Sequence, residues 1–331
     1  MSNFSLFLVL GYLDLIECEV MYYITPSPSD PCLEKPCLTL SQFATNTSKY
    51  LDSNTTMIFL PGNHNLDTNL TVAKVESFMI LSNSTSMVYA IFTFDTKITC
   101  KQSTMFKFNS VSHLHISGIE FIRCGGNRIE SVGNFALQNS GFYGQRANRT
   151  ALELVESTAT IVSCFFISNS NHVGSIRSFT AIANNVGGAI IATHSNIMIS
   201  KSTFEDNIAE QGGAIYSEEG STFTIMNSTF VDNHALCQRR MTGRCNGGTI
   251  YAEGSTINSN NNHFNGNSAD RDGGVMWADW SSTINSINDH FNGNSAGKDG
   301  GVMWADWSST INSSNDPVSY THLTLPTILR V

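Results

Sequence analysis

Short runs of alternating apolar and polar residues fill most of the chain. They are punctuated by Gly, Asn, Ser and Pro-Gly rather than by long amphipathic stretches. Met57 to Leu60 reads as a strand stopped by Pro61-Gly62, and Leu70-Thr71-Val72 and Phe78-Met79-Ile80-Leu81 as further short strands. Their spacing leaves no room for crossover helices, which predicts an all-β fold. One segment departs from this pattern. Thr39-Leu40-Ser41-Gln42 has the Thr-x-x-Gln form of a capping box, and Leu40, Phe43, Ala44 and Leu51 then share one helical face. Such a helix can cover the open first coil of a stack of strands, or it can be an ordinary surface helix.

The alternation recurs with a fixed period. Gly-Gly pairs followed by a small and an apolar residue stand at Gly187-Gly188, Gly212-Gly213, Gly247-Gly248, Gly273-Gly274 and Gly300-Gly301. Phe-x-x-Asn units interleave with them at Phe166/Asn169, Phe204/Asn207, Phe230/Asn233, Phe264/Asn267 and Phe291/Asn294, and a degenerate unit begins at Phe121. Uninterrupted intervals run 25 to 27 residues, and one longer interval contains Cys237 to Cys245. Within a unit, Phe223 and Ile225 share a face, Ser228 and Phe230 share a face of opposite parity, and the phase changes at Asn227. Asn tolerates left-handed backbone better than most residues and can bend the strand there. Stacked coils would put Phe204, Phe230, Phe264 and Phe291 in one internal column and Asn207, Asn233, Asn267 and Asn294 in a turn ladder.

The Gly-Gly-Ala-Ile and Phe-x-x-Asn pairing resembles the repeats of the polymorphic outer membrane proteins over about residues 160–315, with looser patterning back to about residue 55. The resemblance implies a right-handed parallel β-helix and a secreted or surface adhesive role. Bacterial members of that family continue into an outer-membrane barrel, and no segment of that pattern occurs here. The expected organisation is a signal peptide over 1–18, a cap region with a short helix over 30–56, the β-helix over 57–316 and a non-repeat tail over 317–331.

Composition narrows the environment. Charged residues make up 14% of the 331-residue chain and the net charge is −9, which argues against nucleic acid as a partner. Apart from the apolar run Phe4–Leu13, no segment approaches a transmembrane span. Cys32/Cys37 and Cys237/Cys245 each bracket a short loop and read as local disulfides, or else as buried thiols; none of the eight cysteines forms the C-x-x-C spacing of a zinc site. Asn46, Asn54, Asn69, Asn83, Asn148, Asn227 and Asn312 begin glycosylation sequons. These features place the chain outside the cell or at its surface.

Candidate chemistry is sparse. By strand parity Ile190, Ile215, Ile250, Met276 and Met303 point inward, followed by Ala192, Ser217, Ala252, Ala278 and Ala305. Ile191, Tyr216, Tyr251, Trp277 and Trp304 then form an outward row. Tyr216, Tyr251, Trp277 and Trp304 read either as an exposed ladder for a sugar or protein ligand, or as aromatics shielding a sheet or filling the core. Asp272/Asp299 and Asp279/Asp306 align as stacked carboxylates, solvated or bridged by Ca²⁺. His263 and His290 read as turn positions, and His113 and His115 lie on a strand. No hydrolase, metalloprotease or phosphate-binding motif is present, so no catalytic residue, metal or cofactor is expected. A polysaccharide lyase or glycoside hydrolase remains the alternative, because β-helices host such enzymes. The third alternative is a fragment without independent function.

His263–Asp289 recurs as His290–Asp316 with changes only at Asp270/Gly297, Arg271/Lys298 and Ile287/Ser314, which reads as a recent duplication or an assembly repeat. The tail from Pro317 fits no repeat. It reads either as adapter read-through or as an extended segment on the last coil.

Overall fold

One coil shows how the chain is bent. Asn196–Ser200, Thr203–Glu205, Ile208–Ala209 and Ile215–Glu218 are four short strands separated by tight corners. The next coil repeats them as Thr222–Met226, Thr229–Val231, His234–Ala235 and Ile250–Glu253. Each strand pairs in parallel with its counterpart one coil on, as in Ile197↔Phe223, Phe204↔Phe230, Ala209↔Ala235 and Ile215↔Ile250. In this computed structural model, which describes residues 20–28, 37–82, 95–101, 105–144, 150–170, 186–237 and 245–319, the strands form parallel sheets of twelve, ten, nine and four strands. They are called here the first, second, third and fourth sheets. Parallel neighbours one coil apart make a parallel β-helix, wound in the right-handed sense that parallel crossovers favour.

Corners form where the backbone turns left-handed. After the first-sheet strands this falls at Gly118, Asn139, Ser163, Lys201, Asn227, Asn261, Asn288 and Asn315, with φ between 46° and 76°. Asn227 is the position where the sequence parity changes. From Ser163 to Asn288 a buried residue with a short side chain follows each bend, and together these residues tie each coil to the next. Cys164 N–H donates to Ser202 Oγ, Ser202 N–H to Ser228 Oγ, Ser228 N–H to Asn262 Oδ1, and Asn262 N–H to Asp289 Oδ1.

The interior is a column of rings. Phe121, Phe142, Phe166, Phe204, Phe230, Phe264 and Phe291 stack with successive centroids 4.7 to 5.2 Å apart and planes within 10° of parallel. The spacing follows from the separation of paired strands, so register alone sets it. Beside it runs the asparagine ladder. Nδ2 of Asn169, Asn207, Asn233 and Asn267 donates to Oδ1 of the next Asn at 2.8 to 3.0 Å. Each of these Nδ2 groups also donates to a phenylalanine carbonyl one coil back, as Asn233 does to Phe204 at 3.0 Å. Asn207, Asn233 and Asn267 are buried with donors and acceptors matched, which is the condition for amides in a core.

Both glycines of the first four pairs are sterically required. Gly212 has φ +61°, and a Cβ there would sit 2.0 Å from the Ile215 carbonyl oxygen. A Cβ on Gly213 would sit 2.3 Å from the Gly248 oxygen and 2.7 Å from the His234 nitrogen.

At the N-terminal end, helix α1 (Leu40–Thr45) carries the expected capping box: Thr39 Oγ1 accepts from Gln42 N–H, and Gln42 Oε1 accepts from Thr39 N–H. Leu40, Phe43 and Ala44 are buried against the first coils, and Phe43 lies 6.3 Å from Phe78. At the other end Val318 pairs with Phe291, so the tail begins by following the coil; residues 320–331 lie outside the described residues.

Cys237–Cys245 is a disulfide, as expected. Cys37 is also disulfide-bonded; its expected partner Cys32, like Cys18, lies outside the described residues. A further bridge, Cys100–Cys124, joins neighbouring coils. Cys164 is a buried free thiol whose pKa burial pushes up to about 12. The signal-peptide region and the sequons at Asn83 and Asn148 lie outside the described residues. Asn46, Asn69, Asn227 and Asn312 are exposed, whereas Asn54 is half-buried.

Candidate recognition surface

The outward row of the third sheet has the register expected of it but not the exposure. Ile191, Tyr216, Tyr251, Trp277 and Trp304 pair successively across the coils. Yet Tyr216 is only 6% exposed, Tyr251 0% and Trp277 5%, and with Val186 they form a second hydrophobic cluster outside the main core. Ile191 and Trp304 pack against it, half-buried. The cover is the segment entering each Gly-Gly corner. A Cβ on Gly187 would lie 2.8 Å from Ile191 Cγ1, one on Gly273 3.4 Å from Trp277 Cβ and one on Gly300 3.0 Å from Trp304 Cβ. Parity places a side chain on a face of a strand; it does not say that a neighbouring corner folds over that face. The row shields the sheet and is not an open ladder.

Beside the row runs a line of acids: Glu218, Glu253, Asp279 and Asp306. The Tyr216 hydroxyl donates to Glu253 one coil on at 2.6 Å, and the Tyr251 hydroxyl donates to Asp279 at 2.7 Å. Burial, then Glu253, raises the Tyr216 pKa, and burial raises that of Glu218. These carboxylates are engaged in structure. Asp279 also accepts from Trp280 N–H at 3.0 Å, and Asp272 accepts from Asp299 N–H at 3.0 Å. Asp272 and Asp279 are buried, so the reading of solvated carboxylates is corrected at both positions. Among the described residues no His, Cys, Asp and Glu group has the arrangement to hold a metal ion. His263 and His290 begin strands rather than occupy turns, and their rings lie 4.8 Å apart with planes tilted by 37°, while His113 and His115 share the strand His113–Ser117.

The open aromatic feature is a different pair, three residues further along each coil. Trp280 and Trp307 are 50% and 60% exposed, and their rings stack with centroids 5.3 Å apart and planes 4° from parallel. Both stand in left-handed backbone, φ 50° and 47°, where the chain leaves the third sheet. The preceding coil turns the same corner with Gly254, and an earlier one with Glu219-Gly220. The strand leaving the Trp280 corner carries Thr283 and Asn285 on its outer face, and the Asn285 amide donates to Asn258 at 2.9 Å. Asn312 in turn donates to Asn285 at 2.8 Å, so the outer face bears its own amide ladder. Sequence parity did not single out Trp280 and Trp307 because the corner interrupts the alternation.

The repeat model of the Chlamydia polymorphic membrane protein matches residues 201–218, which span Phe204, Asn207 and Gly212 to Glu218. The chain is a parallel β-helix, and residues 201–218 of it match a polymorphic membrane protein repeat. It is also 24% identical over 267 residues to the metabotropic glutamate receptor-like protein R of Dictyostelium discoideum; this covers 78% of the chain but 14% of that protein's length. Among solved structures it resembles the pectate lyase Pel9A at 9% identity and a TM-score of 0.41, over 87% of this chain and 78% of that one. It also resembles the ORF18 protein of Geobacillus virus E2 at 11% identity and a TM-score of 0.38, over 78% of this chain and 53% of that one.

Proposed function

We propose that this chain is a non-catalytic recognition scaffold of the cell surface or the secreted space, which presents a protein or glycan ligand with an elongated face. The observation that carries this reading is the exposed, stacked Trp280–Trp307 pair on a solenoid whose other Phe, Tyr and Trp side chains, among the described residues, are buried or half-buried. Five bridged cysteines, Cys37, Cys100–Cys124 and Cys237–Cys245, fit an oxidising compartment. Glu253 and Asp279 of the third sheet accept from tyrosine hydroxyls, Asp279 also from a backbone amide, and Glu218 accepts from the Thr193 hydroxyl. The test couples the purified chain to beads and measures their retention on mucin, collagen and cell-wall polysaccharide, with a parallel assay for products released from pectin, alginate and chitin. Retention above that of carrier beads on at least one surface, without product release, is the expected result. Sustained product release would transfer the reading to a polysaccharide-active enzyme, and retention equal to that of bare carrier on all three surfaces would remove it.

A further inference from the structure

We infer that the Trp280–Trp307 corner is a binding site for a neutral oligosaccharide, which rests on the recognition reading and gives it a ligand class. The backbone at this corner is architectural, since every coil turns left-handed here; the residue placed on it is not. Glu219 and Gly254 serve the same corner upstream. Left-handed backbone is unfavourable for a bulky L-residue, and an exposed indole gives up burial as well. Two successive coils, near-copies of one another, nevertheless keep tryptophan there, with both residues half exposed or more. A structural role would be met by the glycine already used at Gly254.

The chemistry around the pair selects the ligand. Stacked indoles occupy one another's inner faces, so the ring face of Trp280 turned towards the Gly254 coil is left without an aromatic partner among the described residues. A flat face of that kind suits the C–H side of a sugar ring. Exposed Ser281, Asp306 and Ser308 at the corners, with Thr283, Asn285 and Asn312 on the strands that follow, supply hydroxyl, carboxylate and amide groups for sugar hydroxyls. Charge excludes the acidic polysaccharides. Residues 263–316 hold seven aspartates against Arg271 and Lys298, so an anionic chain would be repelled. A protein partner would find one small aromatic platform rimmed by polar groups, well below the area of a stable protein interface.

The protein reports on this corner directly. All four tryptophans, Trp277, Trp280, Trp304 and Trp307, lie in these two coils. Indole emission during titration with cellohexaose, chitohexaose and laminarihexaose therefore reads these two coils, the single tryptophan variants separate the corner from Trp277 and Trp304, and hexagalacturonate is the anionic control. The expected result is a saturable change in emission with at least one neutral hexamer and none with hexagalacturonate. The change should fall at least tenfold in apparent affinity in both Trp280→Ala and Trp307→Ala, while Lys201→Gln, at a different corner of an upstream coil, leaves neutral binding within a few-fold. Circular dichroism checks that each variant is folded. Should Trp280→Ala misfold, Trp280→Gly, which copies Gly254, replaces it. No response to any neutral hexamer, an unchanged response in the folded tryptophan variants, or a preference for hexagalacturonate would each overturn the proposal. Bead retention that survives on collagen while every hexamer fails leaves the scaffold reading standing and removes only the glycan.

Discussion

The coils before residue 170 and those after residue 186 share one interior and differ in what faces out. The phenylalanine column passes from Phe142 through Phe166 to Phe204 without a break. The outward column of the third sheet runs equally unbroken in register, Lys107, Arg128, Glu153, Ile191, Tyr216. Its chemistry, however, changes from charged to aromatic. Upstream, Arg128 bonds Glu130 at 3.0 Å and contacts Glu153, and all three are half-exposed. Downstream, the Gly-Gly corner lays backbone over the column, and the fourth sheet, Ile208–Ala209 to Ser295–Ala296, is added to each coil. A covered position must shed its charge or pair it, because a buried ion costs more than an aromatic of similar size. Side-chain identity on this face therefore follows the cover, while register follows the core.

The largest break in this contrast comes from removing the corner. Gly213→Val puts a side chain into the Gly248 oxygen and the His234 backbone nitrogen, where only backbone could yield. The expected loss exceeds about 5 kcal/mol, seen as collapse of the downstream coils in thermal melts followed by tryptophan emission. Gly220→Ala is the control: its φ is +76° and no atom lies within 4 Å of the added Cβ. It should cost only about 1 kcal/mol. Equal costs for the two would mean that the corner is not close-packed.

Next in size is the asparagine ladder. Asn233→Ala leaves the Asn207 N–H and one Asn207 Nδ2 hydrogen without their acceptor in a dry interior. Two orphaned donors at about 2 kcal/mol each give a loss of about 4 kcal/mol in denaturant unfolding. Upstream the equivalent tie is covalent: Cys124, three residues after Phe121, stands at the ladder position and bonds Cys100 one coil back. Opening that bridge with Cys124→Ser should cost roughly 3 kcal/mol for a loop of this length. A Cys124→Ser melt that matches the wild type would show that strand pairing alone holds the upstream corner.

These elements differ in how much the sequence discloses. Phe204 to Phe291, the bend at Asn227 and the capping box at Thr39 are legible because each is fixed by neighbours within a few residues or one period. Cys237–Cys245 is legible for the same reason. Cys100–Cys124 is not, since the partners meet only once adjacent coils are in register. Tyr216, Tyr251 and Trp277 were placed on the correct face, but their cover comes from the corners before Gly212, Gly247 and Gly273, which no parity rule anticipates. Trp280 and Trp307 lie on the bend, where alternation carries no information about facing.

The smallest expected effect separates the two regions by sign. Arg128 holds the Glu130 carboxyl below its ordinary range, so the folded state keeps its ionised form. That contribution is present above the unfolded value of about 4.3 and is lost as pH falls through the lower folded value. Glu218 is opposite. Burial, with Glu219 and Glu253 adding to it, raises its pKa, so protonation favours the folded chain; the stability it supplies is present below the unfolded value and lost as pH rises through the folded one. Glu218→Gln should therefore raise the urea midpoint at pH 7 and approach the wild type at pH 4. Glu130→Gln should lower the midpoint at pH 7 and meet the wild type near pH 3. Both shifts are small, because Glu130 is largely solvated and Glu218 is half-buried, and each is read against the wild type at the same pH. Midpoints that move in the same direction at pH 7 would mean that the cover over the downstream column does not desolvate its acids. The physical distinction between the two halves would then fail at the charged positions, even if it held at the aromatic ones.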